Sequence, residues 1–390
     1  MNKRVNATGW AAVIVNFNSA SYLDGCLRAL TSMPQPPGEI IVVDNASSDE
    51  SLADLAVWPQ VVVEASPRNL GFAGGANRGV ARSEAPIVVV LNPDVELDPS
   101  YGVALLRVFA DNPLLGATGP KLRYPDSNLL QHAGADIDPF HFGGRHRGYR
   151  EPDDGQWDTP ADVNYVIGAA IALRRAAFDQ IGGFDERFWP AYFEDVDLCW
   201  RLREAGWQVR YQPELTGVHV ESVTLARSPA YHRYYFRSRI RFALKHLSVE
   251  QWWGTFIPNE ITRLRGALTA IESADWPLTI GAAALEELAR FAQPPHESDT
   301  TLLDGEPLLV MIQALAEVRE RRVVVPDDST PVSGVGRISE GILRRFLGRQ
   351  QVFNDAVTRA LEAQDRVNRE LSAQILLTFL DLGWRNAILE

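Results

Sequence analysis

Short apolar runs alternate with amphipathic stretches through the first half of the chain. Residues 11–15, 40–43, 61–64 and 87–91 form runs with the length and β-branched content of buried strands. Residues 20–33, after the first run, carry leucines at helical spacing. Strands that are apolar on both faces and separated by helices are typical of parallel sheets covered on both sides. The pattern therefore predicts an α/β fold with a mostly parallel, Rossmann-like sheet flanked by helices.

Polar side chains follow three of these predicted strands. Asn16 and Asn18 come after the first, Asp44 after the second, and Asn92 and Asp94 after the fourth. Ligands of open α/β sheets bind outside the carboxyl ends of the strands. We therefore expect a binding site at this polar edge.

The next part of the chain has weaker patterns. Residues 113–162 are rich in Gly, Pro, His and Asp, which predicts mainly loops. Residues 196–205 predict a helix that ends at Gly206, and residues 209–211 and 217–220 predict two further strands.

Helical periodicity dominates later, so we expect a first domain over residues 1–249 and a mainly α-helical domain over residues 250–390. Residues 349–382 contain neither glycine nor proline and predict a long amphipathic helix. This helix should form a homo-oligomer, cover a substrate site or touch a membrane. Its polar face is not strongly basic, which favours contact with protein over lipid.

Charge and composition exclude several classes of protein. Acidic residues outnumber basic ones by 50 to 38, so the formal charge is −12 and no nucleic-acid partner is expected. The 2 cysteines do not make a disulfide framework. No apolar run approaches the roughly 20 residues of a membrane-spanning helix, and no signal peptide is evident. We expect a cytoplasmic protein, with peripheral contact at the inner face of the cell membrane left open.

Three segments at the predicted sheet edge each fit two roles. Asp44 can accept N–H groups from a nucleobase, or it can cap the next helix. Asn92-Pro93-Asp94 offers oxygens to a hard divalent cation and is equally good turn chemistry. Residues 69–77 are rich in glycine, which allows close approach to a ring or phosphate but also makes a plain turn. This segment lacks the spacing of a dinucleotide fingerprint and the lysine of a P-loop.

The later chain adds acids, a histidine and a basic stretch. Glu194 and Asp195 lie just before a predicted helix, where the helix dipole favours acids, and a carboxylate in a partly apolar wall can also act as a general base. His219 is either a structural residue or a metal ligand together with Asp94. Residues 231–245 interleave arginines with aromatic residues, which suits phosphate binding, an anionic membrane surface or a solvated face.

Taken in order, these segments resemble the family 2 glycosyltransferases, which have the A-type nucleotide-sugar-binding fold. The resemblance covers about residues 10 to 246, and its matching segments are 13–18, 41–49, 69–77, 91–94 and 182–201. The glycine-rich segment and Asn-Pro-Asp look most like bacterial rhamnosyltransferase-type members that build surface polysaccharides.

The resemblance implies a role for each motif. Asp195 is expected to be the catalytic base, with Glu194 beside it, and Asp94 and His219 are expected to hold Mn²⁺ or Mg²⁺ on the diphosphate. Donor-binding residues implied in the same way are Asn16, Asn18, Asp44, Asn69, Gly71, Phe72, Asn77, Asn92 and Arg237. The family's Asp-x-Asp motif is Asn-Pro-Asp here, which predicts weaker metal affinity or partial metal dependence.

The implied reaction is an inverting transfer from a nucleoside-diphosphate sugar, dTDP-rhamnose or a UDP-sugar. The acceptor is expected to be a hydroxyl of a saccharide or lipid-linked saccharide in bacterial surface polysaccharide synthesis. One alternative, a sugar nucleotidyltransferase, needs a cationic loop after the first strand, which residues 16–19 do not provide. A second alternative is a non-catalytic sugar-nucleotide-binding or scaffold protein, and the set of acids with His219 argues against it.

Overall fold

The computed structural model describes residues 9–220 and 229–248, together with 251, 255, 256 and 259. The chain divides into two units, Met1–Phe242 and Ala243–Glu390. The helical domain predicted over residues 250–390, including its long helix and its oligomer or membrane contacts, lies almost entirely outside the described residues. Within the ranges that are described, no helix combines the length and apolarity needed to cross a bilayer.

The described part alternates strands and helices. The strands are β1 (Trp10–Asn16), β2 (Glu39–Asp44), β3 (Val61–Ala65), β4 (Ile87–Leu91), β5 (Val95–Leu97), β6 (Leu115–Arg123), β7 (Leu130–His132), β8 (Ala135–Ile137), β9 (Gly144–His146), β10 (Ala161–Asp162), β11 (Ala170–Arg174) and β12 (Gln208–His219). The helices are α1 (Ala20–Ser32), α2 (Ser51–Asp54), α3 (Gly71–Val80), α4 (Tyr101–Asp111), α5 (Arg175–Gln180), α6 (Glu194–Glu204) and α7 (Pro229–His246).

The sheet has a parallel half and a mixed half. Its order is β10-β12-β6-β11-β4-β1-β2-β3, with β5 paired to β12 and β7 paired to β6. Strands β1 to β4 are parallel, as the apolar runs predict. Strand β11 lies antiparallel between β4 and β6, and β6 runs parallel to β12. Strands β8 and β9 form a separate hairpin.

The strands that the apolar runs predict most clearly are buried in the core. Strands β1 and β4 are buried at every position, and β2 is buried at all but its first residue. Leu23, Leu27 and Leu30 of α1 pack into the same core as Trp10. Burial on both faces of these strands leaves only their ends for polar chemistry.

Two elements, helix α3 and strand β6, are not predicted from the sequence because they contain glycines. The glycine-rich segment is not a turn but helix α3, where a Cβ at Gly79 would overlap Cγ1 of Val13 on β1 and lie 2.9 Å from Cγ2 of Val43 on β2. Strand β6 lies in the stretch predicted as loops, and a Cβ at Gly119 would come within 2.6 Å of Val166. Both elements use glycine because neighbours approach closely, which weakens their local propensity.

The two short strands predicted at 209–211 and 217–220 form a single strand, β12. Its pairing with β6 shifts register between Gln212 and Thr216, around the proline at position 213. Proline donates no ladder hydrogen bond, so the sequence shows an interruption where the chain continues as one strand.

Candidate functional site

A cavity of about 870 Å³ opens at the carboxyl ends of β1 and β4. This size is within the range of small-molecule sites. Many of the predicted site residues line it, namely Asn69, Gly71, Phe72, Asn92, Asp94, Glu194, Asp195 and His219. The polar edge predicted from the strand ends is therefore one wall of a cavity shared by residues more than 120 positions apart in the chain.

The sheet topology brings Asp94 and His219 together. Strand β5 begins one residue after Asp94 and pairs antiparallel with the end of β12, so that Val95 lies opposite His219. The backbone N–H of Val220 donates to the carbonyl of Asp94 at 3.2 Å. As a result, Nε2 of His219 lies 3.3 Å from Oδ1 of Asp94.

The Asp94–His219 pair fits the divalent metal that the family resemblance implies. Nδ1 of His219 lies 2.7 Å from Oε1 of Gln131 and donates to this oxygen, so in the neutral imidazole the lone pair is on Nε2. That Nε2 is buried and makes no hydrogen bond within the described chain. Two ligands at right angles around an ion with bonds of about 2.1 Å are separated by about 3 Å, close to the observed spacing.

The described residues do not supply a complete metal site. Nowhere in the described ranges do three or more His, Cys, Asp or Glu side chains gather to hold an ion. Asn92, where the family has an acid, donates its backbone N–H to the carbonyl of Ala169 at 2.9 Å. A cation held by Asp94 and His219 therefore needs further ligands from substrate or water.

Glu194 and Asp195 start helix α6 on the cavity wall. Oδ2 of Asp195 accepts from the backbone N–H of Gly168 and Oδ1 from that of Val196, both at 2.8 Å. Burial raises the pKa of Asp195, although these backbone N–H groups act to lower it. Burial, and then the charge of Asp195, raises the pKa of Glu194 well above its ordinary value. A carboxylate with increased proton affinity is suited to general-base catalysis.

The turn that precedes these acids has unusual backbone conformations. Tyr192 and Phe193 have φ values of 79° and 67°, in the left-handed region that non-glycine residues rarely adopt. Aromatic packing from α7 holds the turn, with ring centroids 5.1 Å apart for Tyr192 and Tyr231 and 5.2 Å apart for Phe193 and Tyr235. Strained backbone of this kind persists where the surrounding structure fixes it, commonly at functional sites.

The first two strand ends are joined by their side chains. Nδ2 of Asn16 donates to Oδ1 of Asp44 at 2.9 Å, and Oδ2 of Asp44 accepts from the backbone N–H of Ser47 at 3.1 Å. Asp44 is buried and shapes the local turn rather than capping α2, which begins later at Ser51. Oδ1 of Asn18 accepts from the backbone N–H of Ser48. These side chains order the loop behind the cavity, and they are not among the residues that line it.

Residues of the glycine-rich segment separate into two groups. Asn69 and Phe72 line the cavity, and Oδ1 of Asn69 accepts from the backbone N–H of Gly71. Asn77 instead binds the loop before α6. Its Nδ2 donates to the Phe184 carbonyl at 2.9 Å, and its Oδ1 accepts from the Phe184 N–H at 2.9 Å.

Arg237 lies elsewhere than its predicted diphosphate role requires. It is 1% exposed, its guanidinium donates to the carbonyl of Trp189, and it lies over the ring of Tyr234 at 5.3 Å. It supports the cavity wall from behind, because Trp189 and Tyr234 line the cavity and Arg237 does not.

Sequence reasoning did not single out several residues of the opposite wall. Gln131, Arg145, His146 and Tyr165 line the cavity from β7, the β8–β9 hairpin and the segment before β11. They lie in or beside the stretch predicted as loops, which has no periodicity to mark a buried face. The one available indication is the exceptional mix of Arg, His and Tyr among its glycines.

Comparisons with known proteins identify the family to which the chain is similar. The family description "Glycosyl transferase family 2" matches residues 11–182, and "N-terminal domain of galactosyltransferase" matches residues 155–223. An N-acetylglucosaminyl-diphospho-decaprenol L-rhamnosyltransferase of Mycobacterium tuberculosis is 31% identical over 245 residues, covering 56% of this chain and 78% of that protein. The O-antigen chain rhamnosyltransferase RfbN of Salmonella typhimurium is 23% identical over 223 residues, covering 54% of this chain and 66% of that protein.

A solved structure shares the fold. The crystal structure of GalNAc-T7 with UDP, GalNAc and Mn²⁺ has a TM-score of 0.51 and 14% identity, covering 75% of this chain and 60% of that chain. At this identity the likeness concerns the fold alone. The predicted α/β fold with a sheet flanked by helices is confirmed for the described residues, and the sheet is mixed rather than mostly parallel because β11, β5, β7 and β10 pair antiparallel. From the matched residues, the extent of the 31% identical relative and the shared cavity, the chain belongs to glycosyl transferase family 2 and is a glycosyltransferase.

Proposed function

We propose that the protein is an inverting rhamnosyltransferase of surface polysaccharide synthesis. Its donor is dTDP-rhamnose or, as the second choice, a UDP-sugar, and its acceptor is a hydroxyl of a saccharide or lipid-linked saccharide. The observation that carries the proposal is the shared cavity, in which the Asp94–His219 pair and the Glu194–Asp195 pair line one space. The names of the Mycobacterium and Salmonella relatives support rhamnose as the transferred sugar.

In the proposed reaction Asp195 accepts the proton of the acceptor hydroxyl while the hydroxyl oxygen attacks the anomeric carbon. The bond from that carbon to the diphosphate breaks with inversion, and the electron pair leaves with the nucleoside diphosphate. The N–H groups of Gly168 and Val196 orient the Asp195 carboxylate for this proton transfer. The surrounding wall of Phe72, Tyr192 and Phe193 limits access of water.

Asp94 and His219 are the residues we propose to hold a divalent metal, Mn²⁺ or Mg²⁺. When bound, the ion supplies positive charge that offsets charge on the departing diphosphate. Gln131 keeps the His219 ring oriented by accepting from its Nδ1, as carbonyl groups do behind metal-binding histidines. Asn69, Gly71, Phe72 and Asn92 remain our proposed contacts to the donor, and Asp44 with Asn16, Asn18 and Asn77 is proposed to shape the nucleoside side.

The donor is tested directly by a panel of dTDP-, UDP- and GDP-sugars. A ligand that binds only the folded state raises the melting temperature, so thermal shifts with and without Mn²⁺ rank the donors. The best donor is then incubated with the enzyme and a lipid-linked saccharide, and products are identified by mass spectrometry and by anomeric configuration in NMR spectra. We expect rhamnose transfer with inversion. Retention of configuration, or stabilisation by no nucleotide sugar, overturns the proposal.

A further inference from the structure

One wall of the cavity carries a cation that the proposed reaction does not use. Arg145, on β9, lines the cavity and is exposed, and it is the only lysine or arginine among the described residues that do so. The neighbouring Arg147 is engaged, because its Nε and Nη2 both donate to Asp136 at 2.9 Å. Arg145 makes no ion pair or hydrogen bond in the described part of the chain. Its guanidinium is therefore available to a ligand.

The same wall carries a buried donor without a partner. Gln131 is 2% exposed and lines the cavity. Since its Oε1 accepts from Nδ1 of His219, the amide is oriented with its NH₂ group away from that bond. Nε2 of Gln131 makes no hydrogen bond among the described residues. A buried donor left unsatisfied is costly, so this nitrogen favours a ligand that brings an acceptor oxygen.

Contacts between their neighbours connect the two donors. His132 follows Gln131 and His146 follows Arg145, and the Nδ1 atoms of the two histidines are 3.2 Å apart. Burial lowers the pKa of His132 well below its ordinary value, which disfavours a charge on this ring. The β8–β9 hairpin is also fixed by close packing, because a Cβ at Gly144 would clash with the hydroxyl of Tyr165. The donors are thus presented from a firm surface.

The chemistry of these donors selects the ligand. The remaining charged side chains that line the cavity are the acids Asp94, Glu194 and Asp195, together with histidines. A guanidinium and an amide NH₂ in the cavity that also holds the Asp94–His219 pair suit a group with several anionic oxygens. Arginine binds phosphate with two parallel hydrogen bonds. We propose that Gln131 and Arg145 form a phosphate-binding subsite of this cavity, and this inference rests on the proposed function. The phosphate belongs either to the donor diphosphate or to a phosphate-linked acceptor.

Two binding experiments on the full chain distinguish these sources. The donor probe is dTDP with Mn²⁺, and thymidine is its phosphate-free counterpart. The acceptor probe is a short-chain polyprenyl diphosphate. Calorimetry gives the dissociation constant of each ligand. Arg145→Gln should weaken one diphosphate probe at least tenfold, as expected for a lost charged hydrogen bond, and leave thymidine unchanged. Arg145→Lys should restore part of the affinity, because it keeps the charge and loses the planar fork. Gln131→Glu keeps an oxygen for His219 and should weaken the same probe.

The outcomes separate this inference from the proposed function. Weaker binding of dTDP assigns the subsite to the donor, and weaker binding of the polyprenyl diphosphate alone assigns it to the acceptor. The matched control is Arg28→Gln, since Arg28 has a side chain 72% exposed on α1 and does not line the cavity. If Arg145→Gln and Gln131→Glu bind both probes as tightly as the control, the subsite is overturned while the proposed function stands. A wild-type protein that binds no nucleoside diphosphate overturns the proposed function itself.

Discussion

Replacing Asp195 by asparagine separates catalysis from binding. The change removes the carboxylate proposed to accept the hydroxyl proton, and general-base catalysis contributes about 10²- to 10⁴-fold to rate. Each factor of ten corresponds to about 1.36 kcal/mol, so the barrier should rise by about 2.7 to 5.4 kcal/mol. Binding should persist, because Asp195 bonds to the backbone of Gly168 and Val196 and not to Asp94 or His219.

The structure also limits what Asp195→Asn does to stability. The asparagine Oδ1 can keep one of the two backbone bonds, and its NH₂ group then faces the other N–H. One hydrogen bond to a charged group is worth about 1.5–3 kcal/mol. Removing a buried charge offsets part of this loss. We therefore expect the free energy of unfolding to change by no more than about 2 kcal/mol.

Three measurements check this prediction: transfer rate under saturating donor, the dissociation constant of dTDP by calorimetry, and denaturant unfolding. The matched control is Asp179→Asn, which makes the same chemical change in a side chain that is 61% exposed on α5. Transfer by Asp195→Asn above one tenth of wild type refutes the assignment of the base. Parallel loss of transfer, dTDP affinity and stability refutes it as well, because a purely structural role then explains Asp195.

Three further predictions follow from the same geometry. Chelation of metal ions should lower the transfer rate, and added Mn²⁺ or Mg²⁺ should restore it. His219→Ala should raise the Mn²⁺ concentration needed for the half-maximal rate. Full activity of the metal-stripped enzyme contradicts the Asp94–His219 assignment. Glu194 holds its proton more tightly in the folded than in the unfolded chain, so its contribution to stability is present at low pH and is lost as pH rises through the folded pKa. Glu194→Gln should therefore raise the melting temperature relative to wild type more at pH 8 than at pH 4, and a difference independent of pH contradicts this. Gly79→Ala should destabilise the protein by about 1–3 kcal/mol in denaturant unfolding, because its Cβ overlaps Val13. The comparison variant Ala76→Gly introduces no overlap and acts through helix propensity and the loss of one buried methyl group.

Sequence patterns identify the half of the fold in which burial and propensity agree. Strands β1, β2 and β4 are apolar on both faces, so their β-branched runs predict them within a residue or two of their observed ends. Strand β6 is not predicted, because its glycines allow close packing of Trp207 and Val166, and close packing of that kind is visible only in three dimensions.

The candidate site, like the fold, could be predicted from the sequence only in part. Asp94, His219, Glu194 and Asp195 are located from the sequence, because the family resemblance assigns a role to each of these positions. The convergence of Asp94 and His219 depends on the pairing of β5 with β12, which no local pattern encodes. The assignment of Arg237 to the diphosphate followed the basic character of its helix, yet that side chain is buried and donates to the Trp189 carbonyl.

The left-handed turn at Tyr192 and Phe193 makes helix α7 necessary for an active enzyme. Rings on α7, including Tyr231 and Tyr235, hold that turn, whereas the two family descriptions match residues only as far as 223. A truncated protein ending at residue 223 would keep both proposed metal ligands and both proposed catalytic acids. It would lack helix α7, which holds the turn that positions those acids. Minimal versions of this enzyme designed from similarity alone should therefore bind nucleotide but transfer sugar slowly.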